Sequence, residues 1–257
     1  MSQTPVVEAR NIVMELGQGA GRVKALKGVD LVINPGELTL LMGPSGSGKT
    51  TLLSIVGCIL SPTEGTLSVA GQTTAGLGPE GLAALRRKHI GYVFQSYNLF
   101  PTLTAHENVR LALDVRGFDS KAASVMAREA LVSVGLEHRL NAYPRTMSGG
   151  EQQRVAIARA IAGEPSLVLA DEPTAALDSE NGQAVMALLA QLARDPKRAV
   201  LAVTHDTRTI EFANRIVHIE DGLMQTERPP KPKRGSGRSE SKHARHARAG
   251  KPVKQEA

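Results

Sequence analysis

"GELTLLMGPSGSGKTTLLSIVG", residues 36–57, decides the fold. The apolar run from Leu38 to Met42 reads as a buried strand, and residues from Thr50 onward read as a helix. Between them "GPSGSGKT", Gly43 to Thr50, fits G-x-x-x-x-G-K-[ST] in full and has the strand-loop-helix context that the motif needs. Its glycines let backbone N–H groups curl around phosphates. Lys49 is placed to reach the β- and γ-phosphates, and the Thr50 hydroxyl to ligate Mg²⁺. Kinases and GTPases share this loop, so by itself it specifies only a nucleoside triphosphate.

The rest of the chain bounds the reading. Its 257 residues are 41% hydrophobic, enough for one sizeable domain, and with no Trp and few aromatics the core must be aliphatic. Runs such as "LTLLMG" and "AVLAV" fall far short of the roughly 18–20 apolar residues that span a bilayer. "MSQTPVVEAR" lacks a basic start followed by an apolar core, so no signal peptide is expected. The single Cys58, in "SIVGCIL", excludes an internal disulfide and reads as a core thiol in a buried helix. Together these point to the cytoplasm.

The net charge of +6 belongs to the C-terminus. Residues 228–257 hold ten Lys/Arg and two Glu, whereas residues 1–227 carry a net −2. That tail is rich in Pro, Gly, Ser and Lys, cannot bury enough surface to fold, and is expected to be disordered. As a partner it suits anionic lipid headgroups, at about 1 kcal/mol per basic residue near the surface. It lacks the aromatic groups that stack on bases, so no nucleic acid is expected.

Strands alternate with helices along the remainder. Residues 5–14, 29–33 and 66–70 read as short antiparallel strands. "HIGYVF" is a strand ending at Gln95, and residues from about Thr104 to Ala162 are mostly helical. "SLVLA" and "AVLAVTH" are buried strands separated by the helix "SENGQAVMALLAQLAR", with Ser179 as its cap. "RIVHIEDGLM" is a hairpin turning at Asp221-Gly222. The fold class is α/β, with a mainly parallel sheet covered by helices.

Three strand ends carry chemistry. "SLVLADEP" closes on two adjacent acids, costly unless a cation or a reaction uses them. Asp171 is read as holding Mg²⁺, and Glu172 as polarising a water that attacks the γ-phosphate. His205, ending "AVLAVTH", is read as a polar contact to the γ-phosphate, and Gln95 as touching Mg²⁺ or the attacking water. A fourth feature is "MSGGEQQRVAIARA", residues 147–160. Ser148 and Glu151 form a capping box at a helix start. Two glycines just after the cap cost helix stability but let an anion approach the exposed N–H groups.

In this order, Gly43–Thr50, Gln95, "SGGEQQR", "LVLADEP", "AALD" and His205 together resemble the nucleotide-binding subunit of an ABC transporter, over about residues 5–225. The resemblance implies a P-loop NTPase fold, RecA-like, with an antiparallel β subdomain and an inserted helical subdomain at about residues 96–165, within a cassette at 5–227. It implies ATP and Mg²⁺ as cofactors. The nucleotide ligands would be Gly43, Pro44, Ser45, Gly46, Ser47, Gly48, Lys49, Thr50 and Thr51, with Thr50, Gln95 and Asp171 at the metal and Glu172, His205, Gln95 and Lys49 in catalysis. Ser148, Gly149 and Gly150 would meet the ATP of a partner copy, making an ATP-sandwiched homodimer, and Asp178 would communicate between the two ATP sites. A separate membrane permease would be driven by hydrolysis, from the cytoplasmic face of the membrane.

"GPSGSGKTTLLSIVG", "IGYVFQSYNLFPTLTAHENV" and "RVAIARAIAGEPSLVLADEPTAALD" are most similar to the lipoprotein-release, macrolide-export, heterocyst-glycolipid-export and cell-division ATPases. That favours an exporter or lipid extruder, with a non-transporting regulatory ATPase as the alternative. The second domain of translation ATPases and the coiled-coil insertion of repair ATPases are not seen, and a P-loop kinase would not need "SGGEQQR". Three departures stand out. Leu16 occupies the place of an aromatic that would stack on adenine, Met147 replaces the usual Leu, and Ala175-Ala176 replaces the common Gly-Asn.

Overall fold

The computed structural model describes residues 4–228. The basic tail lies, from residue 229 onward, outside the described residues. Two sheets organise the chain. Val7–Leu16 (β1), Val23–Ile33 (β2), Glu64–Val69 (β4) and Gln72–Thr73 (β5) form an antiparallel sheet in the order β2-β1-β4-β5. Leu38–Met42 (β3), Ile90–Val93 (β6), Leu167–Asp171 (β7), Ala199–Val203 (β8), Arg215–Glu220 (β9) and Leu223–Arg228 (β10) form the second, ordered β10-β9-β3-β8-β7-β6. Its pairings are parallel except for the β9–β10 hairpin. The helices are Lys49–Val56 (α1), Pro79–His89 (α2), Ala105–Val115 (α3), Ser120–Ser133 (α4), Gly149–Ile161 (α5) and Ser179–Leu192 (α6).

The central strands are mostly apolar, with Thr39 of β3 and the terminal Asp171 of β7 as polar members, because both of their faces are covered. Side chains alternate between two cores. Leu38, Leu40, Val168, Ala170, Val200 and Ala202 pack with residues of α3, α4, α5 and α6. Leu41, Leu167, Leu169, Leu201 and Val203 pack with α1 and the inner face of the antiparallel sheet. Helix α1 is thereby wedged between the sheets, and the loop before it is set at the carboxyl end of β3.

Local signals placed most elements, with four revisions. Strand β2 begins at Val23 rather than at 29. Gly28 (φ 96°) looks like a break but sits in a bulge opposite Asn11 (φ 48°), and β2 runs through it. Helix α2 was not anticipated, since its sequence is strongly polar and only Leu85 is buried. Pro79 in its first turn and Arg86 to His89 in its last suit a helix start and the negative end of its dipole. Cys58 lies past the end of α1, in a left-handed conformation (φ 54°) rather than within the helix. It is buried, which pushes its thiol up to about 11 against the opposing effect of Arg86. The cap of α6 is Asp178, not Ser179: the Asp178 carboxylate accepts from the Asn181 N–H at 2.9 Å.

Candidate functional site

The carboxyl ends of β3, β6, β7 and β8 converge on one open cleft of about 640 Å³. Open α/β sheets present their ligand crevices at this edge. Ser45, Gly46, Gly48, Lys49, Thr50 and Thr51 line one side of it. Gln95, Asp171, Glu172 and His205 line the other, and Leu16 and Ala25 reach in from the antiparallel sheet. The tertiary fold thus brings together residues separated by up to 189 positions, from Leu16 to His205.

The loop is shaped by its neighbours. A Cβ on Gly43 would lie 2.0 Å from the Ile219 carbonyl oxygen, so the chain there tolerates only glycine. Gly46 and Gly48 adopt φ 79° and 101°, conformations costly for other L-residues. The Gly222 N–H donates to the Ser47 carbonyl at 3.1 Å, tying the loop to the β9–β10 turn. Lys49 is nearly buried, and its Nζ donates to the carbonyls of Gly43 at 2.9 Å and Pro44 at 2.7 Å. Helix α1 begins at Lys49, and Gly48 at its cap position offers no side-chain cap. Its first N–H groups and positive dipole end therefore suit an anion in the cleft. Ser47 Oγ is a buried polar atom with no hydrogen-bond partner in the chain. A cradle of this kind fits a polyphosphate.

The opposite wall is acidic. Burial, then the neighbouring Glu172 charge, raise the Asp171 carboxyl above its usual range, while Lys49 opposes them. Glu172 sits one residue past β7 with φ 46°, and its N–H donates to the Val203 carbonyl at 3.0 Å. His205 Nδ1 lies 2.9 Å from Glu172 Oε1, which ties the end of β8 to the end of β7. Gln95 follows β6 by two residues and faces the same space. The Thr50 hydroxyl, Asp171 carboxylate and Gln95 amide bring to one cleft oxygen donors of the type that hard cations take. Among the described residues no cluster of three or more His, Cys, Asp or Glu could hold a metal ion. A cation here would complete its shell with phosphate oxygens and water.

Ser148, Gly149, Gly150 and Asp178 do not line this cleft. They stand at the starts of α5 and α6. The capping box of Ser148 is formed: its Oγ accepts from the Glu151 N–H at 3.2 Å, and the Ser148 N–H donates to Glu151 Oε2 at 2.8 Å. Burial works against the Glu151 charge, but hydrogen bonds from the Ser148 backbone and Arg139 hold its carboxyl below the usual range. A Cβ on Gly150 would lie 2.3 Å from Asn181 Oδ1, so close packing of α5 on α6 also demands glycine here. Sequence reasoning missed Asn181, which bonds Asp178 three residues away and packs on Gly150 of α5, and Gln153 and Arg159, polar helix residues whose partners are distant in sequence. The Gln-Gln-Arg of "GEQQR" is a local hint for Gln153, being unusually polar for a helix packed on a sheet.

Comparison with known proteins agrees with this geometry. The family described as "ABC transporter" matches residues 26–175. The chain is 46% identical over 219 residues to the macrolide export ATP-binding/permease protein MacB of Shigella flexneri, covering 85% of this chain and 34% of MacB. It spans about a third of the length of the curated relatives it matches. A dimeric ATP-binding cassette in a post-hydrolysis state, bound to ADP and Pi, superposes with TM-score 0.79 at 41% identity, over 88% of this chain and 99% of that one. The Clostridium perfringens protein cbiO1, part of the ABC transporter complex cbiONQ, superposes with TM-score 0.79 at 26% identity, over 88% and 89% of the two chains. On the family match, the sequence identity and the shared P-loop NTPase fold, this chain belongs to the ABC transporter family, as an ATP-binding cassette.

Proposed function

We propose that this chain binds and hydrolyses ATP and that hydrolysis drives a membrane permease, in the manner of an exporter. The observation that carries the reading is the cleft itself, where the phosphate-loop ammonium of Lys49 faces the Glu172–His205 pair at the ends of adjacent strands. Backbone N–H groups of the loop and of the first turn of α1 bind the phosphates, and Lys49 supplies positive charge to the β- and γ-positions. Thr50, Asp171 and Gln95 would hold Mg²⁺, which when bound screens the phosphate charge. Glu172 orients and polarises the attacking water, and His205 fixes the Glu172 carboxylate from its far side.

Ser148, Gly149 and Gly150, at the start of α5, form an anion site for the ATP of a second copy, giving a homodimer with two ATP molecules between the chains. The exposed Asp178, at the start of α6, is the contact between the two sites. The solved dimeric cassette at 41% identity supports this assembly. Residues 5–227 make the cassette, and the helices between about 96 and 165 are its helical subdomain. Among the described residues no helix is long and apolar enough to cross a membrane. The permease function that the relatives' names join to ATP binding is assigned to a separate membrane permease, with the cassette at the cytoplasmic face. The basic tail adds an electrostatic tether: truncation after Glu227 weakens binding to anionic liposomes at low salt, and unchanged binding rejects the tether.

The test is ATP-driven dimerisation of Glu172→Gln, alone and with Ser148→Arg. Dimers that need ATP and are abolished by the arginine support the reading. Dimers without ATP, or dimers that survive the arginine, overturn the sandwich.

A further inference from the structure

Helix α5 touches the backbone beyond two strand ends on one wall of the cleft. Gln153 is fully buried, and its Nε2 donates to the Pro173 carbonyl at 2.8 Å. Pro173 directly follows Glu172, whose left-handed backbone needs outside support. The Gln153 Oε1 has no partner within the chain, so it is the donor that earns the residue its buried position. Six positions on, Arg159 reaches the loop that follows β6. Its Nη2 donates to the Tyr97 carbonyl at 2.7 Å and its Nη1 to that of Asn98. Tyr97 and Asn98 are consecutive left-handed residues, φ 61° and 49°, just beyond Gln95. Each α5 side chain therefore grips a carbonyl next to a strained segment that carries a cleft residue.

We propose that Gln153 and Arg159 are positioning residues, through which the Ser148 end of α5 sets the backbone that carries Glu172 and Gln95. The inference rests on the function proposed above and deepens it. A rigid helix that meets the partner's nucleotide at its start transmits that contact to both the water-polarising carboxylate and the Gln95 amide. Neither residue touches the cleft. Their loss should therefore slow the chemical step without weakening nucleotide binding.

The experiment uses the full chain with Gln153→Met, which keeps length and shape but removes the donor, and Arg159→Met, which keeps an apolar stem but removes both guanidinium donors. Steady-state ATP hydrolysis and ATP-driven dimerisation in the Glu172→Gln background are both measured. The expected result is a fall in kcat of about tenfold or more with KM for ATP within about twofold, since a misplacement near 1 Å costs roughly a hundredfold. ATP-driven dimers should persist. If both variants keep kcat within about twofold of the parent chain, the inference fails while the reading beneath it stands. If both lose turnover, ATP binding and thermal stability together, the two residues are merely structural and the inference fails again. If the parent chain does not hydrolyse ATP, or Glu172→Gln still does, the failure belongs to the proposed function instead.

Discussion

His205 Nδ1 stands 2.9 Å from Glu172 Oε1, with the His205 side chain 71% exposed and that of Glu172 16% exposed. The imidazole covers the carboxylate from the solvent side and joins the ends of two strands. Two groups so coupled act as one unit, so their losses should not add. Glu172→Gln should cut kcat by about 1,000-fold or more and His205→Ala by roughly 100-fold, the range of a positioned acid–base group. The double variant should be no slower than Glu172→Gln alone. Multiplicative loss in single-turnover assays would show that the pair works independently.

Lys49 sets binding rather than shape. Its ammonium already satisfies two loop carbonyls, and its remaining donor capacity faces the cleft. Lys49→Ala should abolish ATP binding by calorimetry while leaving the fold intact by circular dichroism. Wild-type affinity in that variant would remove the phosphate loop from the proposed site.

Leu16 lines the cleft with 40% of its surface exposed, at the position where the family resemblance leads one to expect an aromatic. An aromatic face stacks on a base for roughly 1–3 kcal/mol in single-stranded nucleic-acid sites, and Leu offers less. Leu16→Tyr should tighten ATP binding about fivefold, near 1 kcal/mol, and raise the preference for ATP over a pyrimidine triphosphate. Equal affinities for ATP in the two chains would show that the base does not rest on this side chain.

Asp171 imposes a pH signature on the nucleotide-free chain. Burial and Glu172 raise its carboxyl, so the folded state disfavours the charge. Relative stability from this group is full below the unfolded carboxylate range and is lost as pH rises through the raised folded value. Asp171→Asn should therefore melt higher than the parent at pH 7 without nucleotide, and the gap should close as the pH drops below the usual carboxylate range. With Mg·ATP present the order should reverse. A gap that does not change with pH would mean that Asp171 is not strained by its charge.

Gly150→Ala places a methyl 2.3 Å from Asn181 Oδ1, against a side chain whose Nδ2 donates to Asp178 at 2.8 Å. Overpacking of this kind costs about 1–3 kcal/mol, a drop of roughly 2–4 °C in Tm per kcal/mol for a chain of this size. Asn181→Ala in the same chain should recover most of the loss. No recovery would locate the requirement for glycine outside the α5–α6 contact.

Local chemistry made much of this protein legible. The strand, glycine loop and helix of residues 36–57 needed no partner to be read, because loop composition and apolar periodicity are local. The same holds for the acids that end "SLVLADEP" and for the Ser148–Glu151 cap, whose partners lie within three residues. Other features were settled only by the tertiary structure. Polar α2 is held where it packs beside the β-sheet core, with Leu85 buried. The demand for glycine at Gly43 comes from a carbonyl 176 residues away, at Ile219, and that at Gly150 from Asn181 on another helix. The grips of Gln153 on Pro173 and Arg159 on Tyr97 likewise join residues far apart along the chain. Spacing along a sequence encodes hydrogen bonds within a turn and faces within an element. Which donor meets which distant carbonyl depends on how the elements pack, and that is decided only once the two cores have closed.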